Sequence, residues 1–247
     1  ERSFNDLKNT ASSGTARRGK RDFLLANEYP SDVTIEALRS LRTSLHFTML
    51  GAINNVVMIS SATPNAGKSF VSTNLAFLLA AQADKRVLLV DLDMRKGTIH
   101  SSYEQVPDNG MSELLAGTLS IDDAIRKSEF ERLDLVTRGV TPSNPSDLLM
   151  GLNMGKFIKQ VSADYDLVIL DTPPILAVTD PGVIGSFAGT SLMVARFEQC
   201  TPKQVENALH RFELGGVKIN GIVFNMIERR PGGYYNDTGY YHYEYKS

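Results

Sequence analysis

The strongest constraint on the fold of this chain is the segment ATPNAGKS at residues 62–69, because it joins an apolar run to a helical pattern. It matches the phosphate-binding loop G-x-x-x-x-G-K-[ST], with Ala62 in place of the first glycine. In such a loop, backbone N–H groups and a helix N-terminus surround the phosphates. Gly67 allows close approach, Lys68 is predicted to reach the β- and γ-phosphates, and the Ser69 hydroxyl is predicted to ligate Mg²⁺. The sequence therefore predicts a site for ATP and Mg²⁺, formed by Thr63, Pro64, Asn65, Ala66, Gly67, Lys68, Ser69 and Phe70.

Apolar strands alternate with helices around this loop. The predicted strands cover residues 55–60, 86–91, 133–137, 166–171, 190–195 and 219–225. Continuous apolar strands separated by helices are typical of a sheet that is covered on both faces. The pattern favours an α/β fold with a mostly parallel central sheet and helices on both faces.

Three of the helices have clear sequence signals. One covers residues 68–83, with leucines on its apolar side. Another begins after Thr201, a predicted N-cap, and is terminated by Gly215 and Gly216. A third begins at Ser31 or Asp32, with one apolar stripe formed by Ile35, Leu38, Leu41 and Leu45.

The composition excludes several classes of function. Lys and Arg total 26 and Asp and Glu total 28, so the net charge of −2 gives no general attraction to nucleic acid, and no nucleic-acid partner is predicted. A single cysteine, Cys200, cannot form an intrachain disulfide, and the four histidines lack metal-ligand spacing. No apolar run is long enough to predict a transmembrane segment. The chain begins without Met, as a piece of a longer protein would.

The chain divides into three predicted parts. Residues 1–28 are polar, with a basic cluster at Arg17, Arg18, Lys20 and Arg21, and are predicted to be a flexible linker. Residues 29–230 form the predicted domain. Residues 231–247 are predicted to be a disordered tail, because proline and glycines interrupt any regular element. This tail holds six of the nine tyrosines: Tyr234, Tyr235, Tyr240, Tyr241, Tyr243 and Tyr245.

Acidic residues lie where two of the predicted strands end. Asp91 and Asp93 follow the second strand, and Asp171 ends the fourth. In an open α/β sheet, ligands bind beyond the carboxyl ends of the strands. Helix capping would explain any one of these residues, but three of them beside a phosphate loop indicate Mg²⁺ ligands, direct or through water. The predicted metal site comprises Ser69, Asp91, Asp93 and Asp171.

The segments ATPNAGKS, VLLVDLDMR and LVILDTPP resemble the Walker A, Walker A′ and Walker B motifs of the bacterial tyrosine kinases, or BY-kinases. The resemblance covers residues 30–247 and includes PSNPSDLL at 142–149 and the tyrosine-rich end. It is nearest to kinases of the Wzc/Etk type. It implies a P-loop NTPase architecture of the MinD/ParA-like, deviant Walker kind, and it implies a protein-tyrosine kinase. The tyrosine-rich tail is the predicted substrate, and its length predicts phosphorylation in trans.

The resemblance also implies roles for individual residues. Lys68, Asp91 and Asp93 are expected to be catalytic, with Asp91 favoured as the acceptor of the tyrosine proton. Asp171 takes the Walker B position. Asn225 lies where related ATPases hold adenine, although it can equally be a turn residue.

Assembly and partners are likewise implied by the resemblance. The EALRSLR segment, with Glu36, Arg39 and Arg42, is similar to the family motif that forms contacts between subunits of a homo-oligomeric ring. An intrahelical ion pair is the alternative interpretation. The sequence leaves the ring size open, with an octamer as one expected size. The implied protein is the cytoplasmic domain of an inner-membrane protein that regulates capsule or exopolysaccharide polymerisation and export. A protein-tyrosine phosphatase and the export machinery are its expected partners.

One position departs from the family pattern. Relatives carry a regulatory tyrosine a few residues after the Walker A′ motif, where this chain has Thr98. Tyr103, five residues further on, is a candidate replacement. The main alternative function is an ATPase switch of the MinD/ParA class, which uses an additional lysine at the position of Thr63. A third hypothesis is an ATP-binding adaptor without catalysis, which the complete set of charged site residues argues against.

Overall fold

The computed structural model describes residues 24–82 and 84–227. The predictions made for residues 1–23 and for the tail, including its six tyrosines, lie outside the described residues. Within them, no helix combines the length and the apolar composition that crossing a bilayer requires.

The described elements alternate between helices and strands for most of the chain. In chain order they are α1 (Leu25–Glu28), α2 (Val33–Met49), β1 (Val56–Ser61), α3 (Lys68–Ala80), β2 (Val87–Asp91), α4 (Ile99–Ser102), α5 (Met111–Ala116), α6 (Ile121–Ala124), β3 (Arg126–Lys127), β4 (Leu133–Val136), α7 (Pro145–Met150), α8 (Leu152–Asp164), β5 (Leu167–Pro174), α9 (Asp180–Gly185), β6 (Thr190–Arg196), α10 (Pro202–Leu214) and β7 (Gly221–Asn225).

The seven strands described form one sheet in the order β3-β4-β2-β5-β1-β6-β7. All neighbouring pairs are parallel except β3 and β4. The mostly parallel sheet and the six predicted strands are therefore confirmed. Strand β3 was not predicted, because its two polar residues are too few to show the alternation of apolar and polar side chains that is typical of a strand.

Two apolar clusters, one on each face, hold the sheet. Strands β1, β2 and β5 are buried along their whole length, because helices cover both sides of them. Alternate residues of one strand point to opposite clusters, as Val56 and Val57 do. The three central strands end at the same edge, with β5 between β2 and β1. Loops after these strands therefore lie side by side, which sets the position of the site.

The predicted ends of α2 and α10 agree with the caps, whereas α3 ends at Ala80 and not at residue 83. Asp32, not Ser31, caps α2, and its carboxylate accepts a hydrogen bond from Thr34 N at 2.8 Å. Thr201 caps α10 in a capping box with Gln204. Helix α10 ends at Leu214 with Gly215 as its C-cap, and Gly216 follows with φ +70°, a conformation that suits glycine.

Residues 24–28 differ from the predicted linker. They include α1, and Leu24, Leu25 and Ala26 are buried against the domain. The backbone N–H of Ala26 donates to the Asn74 side chain at 2.9 Å. Residues 24–26 therefore pack with the domain, because three apolar side chains together are more stable packed on α3 than exposed to water.

Candidate active site

The segment 62–67 forms a tight loop between β1 and α3. Asn65 and Gly67 both have left-handed backbone conformations, with φ values of +60° and +88°. A Cβ at Gly67 would collide with the side-chain amide of Asn225. Glycine is therefore required there for two reasons, the sign of φ and the close packing against β7.

The loop has the arrangement of donors that an anion needs. Among the described residues, no backbone N–H group from Asn65 to Phe70 donates a hydrogen bond to the protein. These groups lie at the start of the 13-residue helix α3, where the helix dipole is positive. Consecutive free N–H groups in a tight turn form an anion-binding concavity. The geometry of the loop is therefore compatible with phosphate groups, and the contacts that the sequence predicts for residues 63–70 stay a prediction.

Lys68 is the first residue of α3. Its side chain is only 14% exposed, and its ammonium lies 3.2 Å from Asp93 Oδ2. Burial lowers the pKa of Lys68, but the carboxylates of Asp171 and Asp93 outweigh that effect, so its pKa lies above the ordinary value. Lys68 is therefore a fixed positive charge beside the loop.

Ser69 and Asp171 are in direct contact. The Ser69 hydroxyl donates to Asp171 Oδ2 at 2.6 Å, and the Ser72 hydroxyl donates to Asp171 Oδ1 at 3.0 Å. Burial raises the pKa of Asp171, while the charge of Lys68 and the two hydroxyl hydrogen bonds act in the opposite direction. The fourth predicted strand thus delivers its carboxylate to the first turn of α3.

Asp91 and Asp93 follow β2 and have different surroundings. Asp91 is fully buried, and its oxygens accept from the backbone N–H groups of Asp93 and Ile99, each at 3.2 Å. Burial raises the pKa of Asp91 well above the ordinary value, and the charge of Asp171 raises it further. A Cβ at Gly97 would collide with the Asp91 carboxylate, so the loop after β2 closes tightly over it. Of this pair, Asp93 is the one that contacts Lys68.

The carboxylates lie close together but do not form a metal cage. Within the described ranges, no group of three His, Cys, Asp or Glu side chains is arranged to hold an ion. Mg²⁺ in phosphate-transfer sites usually has one or two carboxylates, with phosphate oxygens and water completing its shell. The contact between the Ser69 hydroxyl and Asp171 fits that chemistry, with Asp91 and Asp93 further along the same edge.

Asn225, the last residue of β7, is attached to the loop. Its Nδ2 donates to Ala66 O at 3.0 Å, and its Oδ1 accepts from Met226 N at 2.9 Å. The amide therefore has a position beside the loop, and each of its polar atoms retains capacity for one more hydrogen bond. The predicted contact with adenine stays a prediction.

Other predicted residues lie outside this cluster. Glu36 and Arg39 form an exposed ion pair at 2.8 Å on α2, and Arg42 donates to Leu78 O at 3.3 Å. The intrahelical pair that the sequence offered as an alternative is thus present. Thr98 is exposed, whereas Tyr103 is buried with its hydroxyl 3.4 Å from Thr73 O.

Two contributors to the site were missed by sequence reasoning. Ser72 shares Asp171 with Ser69, and the spacing of three residues on α3 could have indicated it. Arg196 ends β6 and donates to the carbonyl oxygen of Asn65 at 3.1 Å. Its place at the carboxyl end of a buried strand was the available signal.

Comparisons with known proteins agree with this geometry. A family profile described as an AAA domain matches residues 54–196. The tyrosine-protein kinase wzc of Salmonella typhimurium is 48% identical over 231 residues, which are 94% of this chain and 32% of that protein. The kinase domain of the Escherichia coli tyrosine kinase ETK is similar with a TM-score of 0.83 and 41% identity, over 93% of this chain and 88% of that domain.

A more distant similarity concerns the fold alone. The cell division ATPase MinD of Pyrococcus furiosus has a TM-score of 0.59 and 22% identity, over 70% of this chain and 72% of its own. The expected MinD/ParA-like architecture is thereby confirmed. The chain spans about a third of the length of the curated relatives it matches.

Proposed function

We propose, because the chain belongs to the family of bacterial tyrosine kinases and contains an AAA domain, that it transfers the γ-phosphoryl group of ATP to tyrosine side chains. The observation that carries this proposal is that Lys68 meets Asp93, just after β2, and Ser69 meets Asp171 of β5. Both contacts lie beside a loop whose N–H groups have no partner among the described residues. Positioned cations, hydroxyl and carboxylates are the parts that phosphoryl transfer requires.

Each of these groups has a proposed role. ATP supplies the phosphoryl group, and Mg²⁺ supplies the charge that neutralises the phosphate oxygens. The loop N–H groups and Lys68 bind the phosphates, and Ser69 with Asp171 holds the cation. Asp91 or Asp93 accepts the proton of the attacking tyrosine hydroxyl. Asp93 contacts Lys68, whereas Asp91 is fully buried and its oxygens already accept two backbone N–H groups, so the geometry favours Asp93 over the Asp91 that the sequence suggested.

The proposed substrate is the tyrosine cluster of the chain itself, at residues 234–245. The arrangement that we propose is transfer in trans within a ring, from the active site of one subunit to these six hydroxyls of a neighbour. Phosphorylation of all six adds roughly −9 to −12 charge, at −1.5 to −2 for each phosphate. That repulsion would loosen the ring, which links phosphorylation to the control of capsule or exopolysaccharide export.

The proposed setting follows the relatives. The chain corresponds to about a third of a longer protein, and we assign it to the cytoplasmic side of a bacterial inner membrane. A protein-tyrosine phosphatase that resets the tail and the polysaccharide export machinery are the proposed partners.

The test is to incubate the purified protein with Mg²⁺ and ATP and to measure phosphotyrosine and released phosphate together. A tyrosine kinase forms phosphotyrosine in step with ADP. An ATPase switch of the MinD/ParA class releases phosphate without phosphotyrosine, and an adaptor binds ATP and does neither. A chain truncated after Gly233 is the matched control, because it keeps the site and loses the six acceptors.

A further inference from the structure

The carbonyl groups of the phosphate loop are all held by the protein. From Ala62 to Gly67, every carbonyl oxygen accepts a hydrogen bond from outside the loop or from the helix that follows it. The donors are Leu176 N to Ala62 O at 3.2 Å, Ser61 Oγ to Thr63 O at 2.9 Å, Gln199 Nε2 to Pro64 O at 3.5 Å, Arg196 Nη1 to Asn65 O at 3.1 Å, Asn225 Nδ2 to Ala66 O at 3.0 Å and Val71 N to Gly67 O at 3.0 Å.

This pattern determines where the loop N–H groups point. A trans peptide is planar, so its C=O and N–H lie on opposite sides of the chain. Holding the carbonyl oxygens of Asn65 and Ala66 against β6 and β7 turns the N–H groups of Ala66 and Gly67 the other way. The N–H groups are those that the site offers to phosphate, so the carbonyl contacts orient the donors before any nucleotide arrives.

Three non-glycine residues near the phosphate loop have left-handed backbone conformations, which the surrounding contacts must hold in place. Asn65, Glu198 and Met226 are non-glycine residues with φ values of +60°, +55° and +58°. They lie in the loop, in the segment that carries Arg196, and directly after Asn225. Such conformations persist only where the surroundings impose them, and they concentrate at functional sites.

We infer that Arg196 is a positioning residue for the nucleotide, acting through the Asn65 carbonyl, with Asn225 and Gln199 supporting the neighbouring peptides. Arg196 is partly exposed at the end of β6, and its guanidinium contacts a loop residue that lies 131 positions earlier in the sequence. The Gln199 contact is the longest of the set and the weakest. This inference rests on the proposed function only in taking ATP as the ligand of the loop.

The test compares Arg196→Met with Lys203→Met in the whole purified chain. Arg196→Met keeps an apolar side chain of similar length and removes the guanidinium that donates to the loop. Lys203 is exposed and pairs with Glu206, so Lys203→Met removes the same charge from a residue that does not contact the loop. We expect Arg196→Met to weaken binding of a fluorescent ADP and to raise the KM for ATP by about five- to tenfold, with kcat lowered less than twofold. Lys203→Met is expected to match the unmodified protein in both measurements.

Inorganic pyrophosphate, used to displace the fluorescent ADP, separates loop orientation from contact with the base. Its affinity should fall by the same factor as that of ADP. Unchanged pyrophosphate affinity would place Arg196 at the base and overturn the inference. So would an equal loss in Lys203→Met, or a kcat that falls with unchanged KM. These outcomes leave phosphotyrosine formation by the unmodified protein intact, so failure here is distinct from failure of the proposed kinase activity.

Discussion

Lys68 and Asp93 approach each other across the carboxyl edge of the sheet, with 3.2 Å between Nζ and Oδ2. Lys68 follows β1 and Asp93 follows β2, and β5 lies between those strands. Two strand spacings separate their origins by roughly 9–10 Å, so the long lysine stem is what closes the gap. The cation and the carboxylate therefore meet only when the three central strands are paired, so the site forms only in the folded sheet.

Replacing Lys68 tests the assignment of the site. We expect Lys68→Met to reduce autophosphorylation by at least about a hundredfold, because one fixed charge at the phosphates is lost and no core packing is removed. Phosphotyrosine formation at saturating ATP is the measurement, and the thermal unfolding transition checks that the fold is kept. Lys156→Met, on the exposed side of α8, is the control. Autophosphorylation at the unmodified rate in Lys68→Met would remove the loop from the mechanism.

Tyr103 is not expected to act as the internal regulatory tyrosine. Its side chain is 6% exposed, and its hydroxyl faces the Thr73 carbonyl, so the folded domain does not present it to an active site. Phosphopeptide mapping after incubation with ATP should find label in the tail and none on the peptide that contains Tyr103. Tyr103→Phe should autophosphorylate within about twofold of the unmodified protein. Label on Tyr103 in folded protein would restore the role that the sequence suggested.

The same burial predicts an alkaline dependence of stability. Burial raises the pKa of Tyr103 far above its ordinary value of about 10. The unfolded chain loses this proton near pH 10 while the folded domain keeps it, so stability is present below that pH and falls as the pH rises above it. Tyr103→Phe should remove this component, up to about 1.4 kcal/mol per pH unit. Urea unfolding at pH 9, 10 and 11 measures it, and parallel curves for the two proteins would contradict it.

The sequence predicted the parts of this domain that depend on local pattern. The loop, the six longer strands and the three aspartates at strand ends all follow from residues within about ten positions of one another. Contacts between segments that are far apart in the sequence could not be predicted from such local patterns. Arg196 and Asn65 are 131 positions apart, and Ala26 and Asn74 are 48 apart. Periodicity carries no information on such pairs, so the carbonyl contacts and the packing of α1 required the folded structure.

The α2 residues give a prediction about assembly. The exposed pair of Glu36 and Arg39 contributes only about 0.2–0.5 kcal/mol within the helix, so its loss should barely change thermal stability. If these residues instead contact a neighbouring subunit, Glu36→Ala with Arg39→Ala and Arg42→Ala shifts the protein toward monomer. Light scattering at high protein concentration measures this shift.

Two further variants sharpen that test. Arg42 also donates to Leu78 O, so the double variant at Glu36 and Arg39 alone separates assembly from packing on α3. Lys203→Ala with Glu206→Ala removes a comparable exposed pair, at 3.0 Å on α10, and should leave the oligomer unchanged. If the α2 variants form the same oligomer as the unmodified protein, Glu36 and Arg39 form only an intrahelical ion pair and no contact between subunits.

The last prediction concerns which subunit is phosphorylated. Strand β7 ends at Asn225 beside the phosphate loop, and the first tail tyrosine is Tyr234, nine residues later. The 14 residues from Tyr234 to Ser247 can span at most about 3.3–3.6 Å each, and in the proposed ring this length would let a tail approach the site of a neighbouring subunit. We therefore expect phosphorylation in trans.

A mixing experiment decides between trans and cis transfer. A Lys68→Met protein that keeps its tail is combined with an active protein truncated after Gly233, so that the tail tyrosines and the active sites are on different chains. In trans, the Lys68→Met tails become phosphorylated at a rate that rises with the concentration of the active partner. If those tails stay unlabelled, while the unmodified protein labels itself at a rate per molecule that is independent of dilution, transfer is in cis. The ring would then not be what delivers the tail to the site.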